Sequence, residues 1–525
     1  MKPVPLFFNT TGPCRPDMHY MLPPADRLVG ARLDRYISHQ LYWVLHAPRQ
    51  TGKTTFLQSW MKEINESEEG IACYVSVERC QMFPKAEEAI SAICEAIIEY
   101  AGNFLDKGLV PSLPTGTTAS KLSEILSEWA QLCAPKPLIV LFDEVDVLED
   151  QAMVSFLRQL RGGFASRGIG MFPVSIALVG MRDLRDYLIE SKDGKSVNPG
   201  SPFNIKESSI SLSNFSRKDV HSLINQHILE TGQQVETAAI DMVYDLTKGQ
   251  PWLTNALAKK CHWDICPNSE TITVDHIAEA EEALIEERAV HLDSLAERLK
   301  DIRIQHIVET ILTGDSDPDM TAGNDFLLAL DLGLVALENS TPIIANPIYR
   351  EVIARILTFG MQTAIPSPEF KWENDNGTLN MDSLMKEFQK FWRRHADLWE
   401  AKSNYTEAFP HLLLMAFLQR VVNGGGQVER EFAAGRGRAD LAVTYGGKWS
   451  IIEIKLIHPH DGRALTLEEG LKQISRYRDT IDPKATAYLV IFDRTEAGRK
   501  KSWDERLTRE EIKREDGKTI VVIGG

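Results

Sequence analysis

The chain has 525 residues, 43% of them apolar and 25% charged, with a formal net charge of −16. That length exceeds one ordinary hydrophobic core, so about three or four domains are expected. The acidic balance argues against a protein that coats nucleic acid throughout its length, and no apolar run reaches the roughly 20 residues that a bilayer-spanning helix needs.

The opening MKPVPLFF is too short for a secretory signal. Cysteines at 14, 73, 80, 94, 133, 261 and 266 are scattered and form neither metal pairs nor a disulfide frame. A reducing cytoplasm is the expected compartment. Residues 1–40 are proline-rich, then helical. A short apolar strand at 42–46 precedes a helix at 53–65, and 71–77 reads as another strand. Helices follow near 85–103 and 119–133. The continuous apolar run 138–142 has the character of a strand buried on both faces. A helix at about 151–167 and a strand at 174–180 complete an alternation that implies a doubly wound parallel sheet. From 217 to 298 every periodic segment is helical, as expected of a lid. Cys261, His262 and Cys266 in that lid read as packing, because a tetrahedral zinc site needs four ligands.

Between the first strand and its helix runs Ala47-Pro48-Arg49-Gln50-Thr51-Gly52-Lys53-Thr54-Thr55. A phosphate loop needs backbone N–H groups converging on anionic oxygens at a helix N-terminus. Gly52 permits the tight turn, Lys53 would reach the β- and γ-phosphates, and the Thr54 hydroxyl would ligate Mg2+. Ala47 stands where the usual pattern has its first glycine, which a negative φ tolerates. Gly-Lys-Thr alone is a weak signal. The strand at 138–142 strengthens it by delivering Asp143 and Glu144 at its carboxyl end, where ligands sit in such sheets. Asp143 is expected in the Mg2+ shell, with Glu144 polarising the attacking water. Arg182 is a candidate γ-phosphate sensor, though a surface arginine opening a helix explains it equally well. Lys248-Gly249-Gln250-Pro251 would lie near the nucleotide or simply start a lid helix, with Pro251 at an early helical position. Arg158, Arg161 and Arg167 are candidates for a finger completing a neighbouring subunit's site.

Residues 299–357 run helix, helix, a small β-wing around 331–345 and a helix from Asn346-Pro347, the order of a winged helix. Residues 359–378 have linker composition. Helices near 379–398 and 404–422 lead to strands near 427–433, 438–445 and 448–456, a helix at 465–481 and a strand at 485–493. Lys500 to Arg514 alternate in charge at helical spacing, as a solvated helix face would. Residues 401–525 carry 21 Lys and Arg against 18 Asp and Glu, leaving 37 against 56 for the first 400. The C-terminal part alone is mildly basic, which suits a nucleic-acid-facing module.

Asp440 and Glu453-Ile454-Lys455 lie on two of these strands. The two carboxylates, with the Ile454 carbonyl, can coordinate one or two Mg2+ ions. Lys455 shares a strand face with Glu453, because side chains alternate. It would orient the nucleophile or neutralise the phosphate. Glu407 and Glu431 are rival candidates for an additional acid, and Gln473 and Tyr477 share a helix face at i, i+4. The pattern is degenerate, and an antiparallel meander with ordinary surface charges is the plain alternative. His458 and His460 read as a polar loop.

The segments 8–13, 19–24, 46–55, 333–335 and 345–349 together resemble prokaryotic AAA-like ATPases related to the Orc/Cdc6 and STAND branches of AAA+ proteins. The resemblance covers roughly residues 1–357. It implies an ATPase core, a helical lid and a winged helix, often fused to an effector, with residues 9–24 near the adenine. The strands around Asp440 and Glu453-x-Lys455 resemble the PD-(D/E)xK nuclease superfamily, which would give Gln473 and Tyr477 a supporting role. The expected architecture is a multidomain α/β protein: a P-loop parallel sheet (1–216), helical lid (217–298), winged helix (299–358), linker (359–378) and a C-terminal α/β restriction-endonuclease-like domain (379–525). The expected function is ATP hydrolysis coupled to Mg2+-dependent cleavage of nucleic acid, with DNA the expected substrate and anti-phage defence the favoured setting. Assembly with like subunits is also expected, and no membrane partner. The rival expectation is a signalling or scaffold ATPase whose C-terminal domain binds nucleic acid or partners without cleaving.

Overall fold

The computed structural model describes all residues outside 1–4, 30, 84, 166, 168–171, 182–205, 268–269, 288–294, 314–319, 365–373, 375–377, 401–412, 419–425, 435–436, 458–461, 494 and 515–516; over 426–434 and 437–440 it describes the backbone path. The chain forms two compact units, one of residues 1–289 with 321–348, the other of 290–320 with 349–525. Among the described residues, no helix is long and apolar enough to cross a membrane.

The first unit is organised by a six-stranded sheet in the order β1-β6-β2-β5-β4-β3. Its strands are β1 (Leu28–Val29), β2 (Tyr42–His46), β3 (Ile71–Ser76), β4 (Leu138–Asp143), β5 (Ser175–Gly180) and β6 (Lys206–Leu212). All neighbours run parallel except β1, which pairs antiparallel with β6. Alternation explains why β2 to β5 are apolar throughout. Tyr42, Val44, Val140 and Ile176 face one core with helices Ala86–Phe104, Lys121–Cys133 and Asp150–Phe164. Trp43, Leu45, Leu141 and Val179 face the other, under helix Lys53–Ser67. Burial of large side chains on both faces, such as Phe156 on one and Phe56 on the other, contributes about 1.5–3 kcal/mol each and fixes the strand ends from which the site is built.

Strand β6 is absent from the sequence expectation. Its run, KESSISL, has serines where a buried strand usually shows branched apolar residues, so its pattern is that of a loop until β2 pairs with it. The segment from 217 is helical, as its periodicity predicts. Helices Arg217–Thr231, Thr237–Thr247, Pro251–Lys260 and Val274–Glu286 enclose a core that also takes in Phe8 and Tyr20 from the N-terminal segment. Cys261 and Cys266 are buried in that core. His262 bonds Gln233, and among the described residues no group of three or more His, Cys, Asp or Glu could hold a metal.

Helices Ile302–Thr313 and Asn324–Asp331, the antiparallel pair β7 (Val335–Glu338) and β8 (Thr341–Ile344), and helix Pro347–Ala364 follow in the expected order. This last helix overruns the segment read as linker from 359. Its run meets no proline until Pro366, so nothing breaks it earlier.

The second unit has a six-stranded sheet in the order β13-β14-β12-β11-β10-β9. Its strands are β9 (Gly426–Ala434), β10 (Gly437–Tyr445), β11 (Lys448–Ile457), β12 (Thr486–Asp493), β13 (Arg509–Lys513) and β14 (Thr519–Gly524). Strands β9 to β11 are antiparallel in succession, and β11, β12 and β14 are parallel. Helix Met381–Glu400 covers one face and helix Gly462–Ile481 the other. Residues 500–514 are not one solvated helix. Ser502 and Glu505 form a capping box that starts the short helix Trp503–Arg506. Residues Arg509–Lys513 then pair with β14 as a charged edge strand, a usual protection for an exposed sheet edge.

Gly249, which leads into the lid helix Pro251–Lys260, has φ +69°, and a Cβ there would fall 1.8 Å from the Phe215 carbonyl oxygen. Backbone cannot yield as a side chain does, so Gly249→Ala is expected to cost about 3 kcal/mol or more. A calorimetric melt checks this; an unchanged midpoint would contradict the close approach.

Candidate functional site

The loop between β2 and helix Lys53–Ser67 turns on two left-handed residues, Gln50 (φ 60°) and Gly52 (φ 95°). Thr51 Oγ1 donates to the Pro48 carbonyl at 2.9 Å. Lys53 is 6% exposed and its ammonium donates back to the Ala47 and Pro48 carbonyls at 2.8 and 3.0 Å. Burial pushes its pKa below the ordinary lysine value, against the pull of Glu144, Asp143 and Asp146. Arg49 and Gln50 are exposed at the loop tip. The loop is thus folded around its own lysine, with backbone converging where phosphate oxygens would bind.

Strand β4 brings the acids to the same sheet edge. Thr54 Oγ1 donates to Asp143 Oδ2 at 2.7 Å, joining loop and acid across 89 residues of sequence. Asp143 is fully buried and accepts two more bonds, from the Tyr74 hydroxyl at 3.2 Å and the Glu144 amide at 3.0 Å. Burial nevertheless raises its pKa, outweighing these donors and Lys53. Glu144 sits at φ 60°, a left-handed conformation that is uncommon for a residue with a side chain. Burial first, then the neighbouring Asp143 and Asp146, push its carboxyl up to about 7. Asp146 is raised too, mainly by burial. All three carboxylates thus act electrostatically on the Lys53 ammonium.

Sequence reasoning missed Tyr74, Asp146 and Arg27. Tyr74 lies in an apolar strand and reads as core. Asp146 does carry a signal, a third acid three residues after the first. Arg27 stands outside any motif, yet its guanidinium donates to the Thr51 carbonyl at 2.6 Å. The remaining expected residues divide. Thr55 Oγ1 accepts from the Cys14 amide, so it anchors the N-terminal segment. Pro251 is buried at the first position of its lid helix, which Gln250 caps through the Leu253 amide. The N-terminal segment reaches this helix: Trp252 Nε1 and Lys259 Nζ bond Thr10. Gly333 rests on the loop from the other side, its absent Cβ falling 2.7 Å from Pro48 Cγ. Arg158 and Arg161 are exposed on their helix, whereas Arg167 lies 3.3 Å over the Phe164 ring. Arg182 lies outside the described residues.

In the second unit Glu453 and Lys455 stand on one face of β11, with Lys455 Nζ 2.9 Å from Glu453 Oε1. Glu453 is 2% exposed. The same face carries Ile451 and Ile457 against Leu471 and Ile474 of helix Gly462–Ile481. Gln473 on that helix is half-buried, and its amide oxygen has no hydrogen-bond partner among the described residues. Tyr477 is buried in the helix–sheet core. Ile454 pairs with Val490 on β12, facing the opposite core. Leu441 stands across from Ile452, and the next step of an antiparallel ladder carries position 440 toward 453. The Asp440 and Glu431 side chains, Glu407, His458 and His460 lie outside the described residues.

No family model matches the chain, and no curated protein is significantly similar to it. Among solved structures it is similar to the Walker-type ATPase PABY2304 of Pyrococcus abyssi, at 16% identity and TM-score 0.44, over 61% of this chain and 93% of that one. It is similar to the RuvB Holliday junction branch migration motor of Thermotoga maritima at 14% identity and TM-score 0.34, over 61% and 91%. It is also similar to Cdc6p from Pyrobaculum aerophilum at 14% and 0.34, over 62% and 92%.

The raised Glu144 carboxyl has a consequence for stability. The folded protein keeps this proton up to about pH 7, whereas the unfolded chain loses it near the ordinary value of 4.5. Stability from this group is therefore present below pH 4.5 and lost as pH rises through 7. In nucleotide-free protein, Glu144→Gln should stabilise by an amount on the order of 1 kcal/mol near pH 8, discounted for its partial exposure, and have little effect near pH 4. Melts at the two pH values test this; an equal effect at both would contradict it.

Proposed function

We propose that the N-terminal unit binds and hydrolyses ATP as a AAA-like P-loop ATPase. Its nucleotide state is proposed to gate a magnesium-dependent nuclease in the C-terminal unit that acts on DNA. The observation that carries the first half is the 2.7 Å bond between Thr54 Oγ1 and Asp143 Oδ2. It places a hydroxyl and a carboxylate, the donor pair a hard divalent ion takes, beside a lysine-bearing phosphate loop.

The donor set fits magnesium in kind, because the Thr54 hydroxyl and the buried Asp143 carboxylate are hard oxygen ligands. When bound there, the ion would neutralise phosphate charge and hold the polyphosphate in one geometry. The chain's own residues supply the rest. Loop amides and the Lys53 ammonium bind phosphate oxygens, with Lys53 exchanging its bonds to the Ala47 and Pro48 carbonyls for them. Thr54 and Asp143 would hold the ion. Glu144, with a carboxyl near 7, accepts a proton from the attacking water at its side-chain oxygen. Arg182 remains the candidate γ-phosphate sensor.

The nuclease reading rests on Glu453 and Lys455. A buried carboxylate paired with an ammonium on one sheet face is more than a surface meander requires, since burying a charge is costly unless function or pairing compensates. Asp440, Glu453 and the Ile454 carbonyl are the proposed ligands of a second magnesium site. Lys455 is proposed to orient the nucleophile, with Gln473 and Glu407 in support. Residues 299–358 are proposed to form the winged helix. A second copy of the chain is the proposed partner, presenting Arg158 or Arg161 to the first copy's nucleotide.

Two sets of measurements test the two halves. Lys53→Ala should weaken ATP binding by about 100-fold or more. Glu144→Gln should keep binding while turnover drops by roughly 100- to 1,000-fold, and wild-type turnover should fall on the acid side of about pH 7. Unchanged affinity in Lys53→Ala would overturn the site. For the second half, plasmid incubated with Mg2+ and ATP should be nicked or degraded by wild type and left intact by Lys455→Ala. Intact plasmid with wild type under every nucleotide would reject the nuclease and favour a domain that binds without cutting.

A further inference from the structure

We infer that Arg27 is a positioning residue that ties the phosphate loop to the start of the lid, so that filling the loop is felt at the lid hinge. This rests on the nucleotide reading above and extends it to a residue outside every motif.

The geometry is that of a bridge. Arg27 is 7% exposed. Its Nη2 donates to the Thr51 carbonyl at 2.6 Å and its Nη1 to the Ser213 carbonyl at 3.2 Å. Its guanidinium also lies 4.8 Å over the Phe215 ring. Only a planar fork with donors on separate nitrogens makes both bonds while stacking. On the loop side the fit leaves no slack: a Cβ on Gly52 would fall 2.9 Å from Arg27 Nη2. On the lid side the backbone is pinned as well. The Ser213 amide and hydroxyl both donate to the Arg27 carbonyl, at 3.0 and 2.9 Å. The Phe215 amide then donates to the Gly249 carbonyl at 2.8 Å, and the Phe215 carbonyl fills the space where a Gly249 Cβ would be. Gly249 adjoins Gln250, the cap of lid helix Pro251–Lys260. Thr51, Arg27, Phe215 and Gly249 thus form one continuous set of contacts.

The charge gives the bridge its sensitivity. Both hydrogen-bond acceptors of the guanidinium are neutral carbonyls, and among the described residues no carboxylate lies within ion-pair distance. Asp219 acts on it only from farther off, so a buried cation held this way keeps incompletely compensated charge. Burial pulls its pKa down to about 10. An anion cradled by the same loop relieves that charge, which strengthens the preference for phosphate and alters the balance of the two carbonyl bonds that hold loop and lid together.

The test is amide hydrogen exchange on the full chain, with and without saturating ATP and Mg2+. Wild type should gain protection over residues 213–219 and 247–257. Arg27→Lys keeps the charge but cannot span both carbonyls, so at saturating ATP it should lose at least about half of that gain. Phe215→Leu guards against misfolding in Arg27→Lys, because it removes the stacking surface and leaves the Thr51 bond. It should bind ATP within about twofold of wild type and show a smaller gain. Wild-type protection in both variants would overturn the coupling alone, as would ATP binding by wild type with no change at the lid. Failure of wild type to bind ATP would instead remove the nucleotide reading, and this inference with it.

Discussion

A single hydrogen bond, from the Thr54 hydroxyl to the Asp143 carboxylate, joins the two halves of the proposed nucleotide site. Strands β2 and β4 are not neighbours, because β5 lies between them. Their carboxyl ends still meet at one sheet edge because all three run parallel, buried on both faces by apolar side chains that alternate without interruption. Asp143 has no solvent exposure, so its position is set by packing, and the Tyr74 hydroxyl and Glu144 amide hold its two oxygens. The acids and the lysine are thereby concentrated where water is scarce. The raised carboxyls and lowered ammonium follow from that burial.

Much of this was legible in the sequence. The strands β2 to β5 announce themselves by length and continuity, and Gly52, Lys53, Thr54, Asp143 and Glu144 fall where the motif places them. What could not be read follows from tertiary pairing. Strand β6 acquires its identity from β2, since its serines carry no apolar signal. Tyr74 reads as core because a hydroxyl aimed at a carboxylate from the next strand leaves no mark on periodicity. Arg27 depends on carbonyl groups, which every residue has, so nothing in side-chain spacing points to it. Strand β13 was mistaken for a helix face because charge alternation occurs in exposed helices and edge strands alike.

The two candidate sites contrast in how they treat their charges. The N-terminal one keeps three carboxylates within electrostatic reach of a lysine that bonds its own loop. The C-terminal one pairs Glu453 directly with Lys455 at 2.9 Å.

Replacing Mg2+ with paramagnetic Mn2+ and recording phosphorus couplings by electron–nuclear double resonance tests the central claim most directly. With ATP present, the account predicts Mn2+ coupled to nucleotide phosphorus, and loss of that coupled species in Thr54→Val. Phosphorus coupling that survives Thr54→Val unchanged, or none in the wild-type protein, would contradict it.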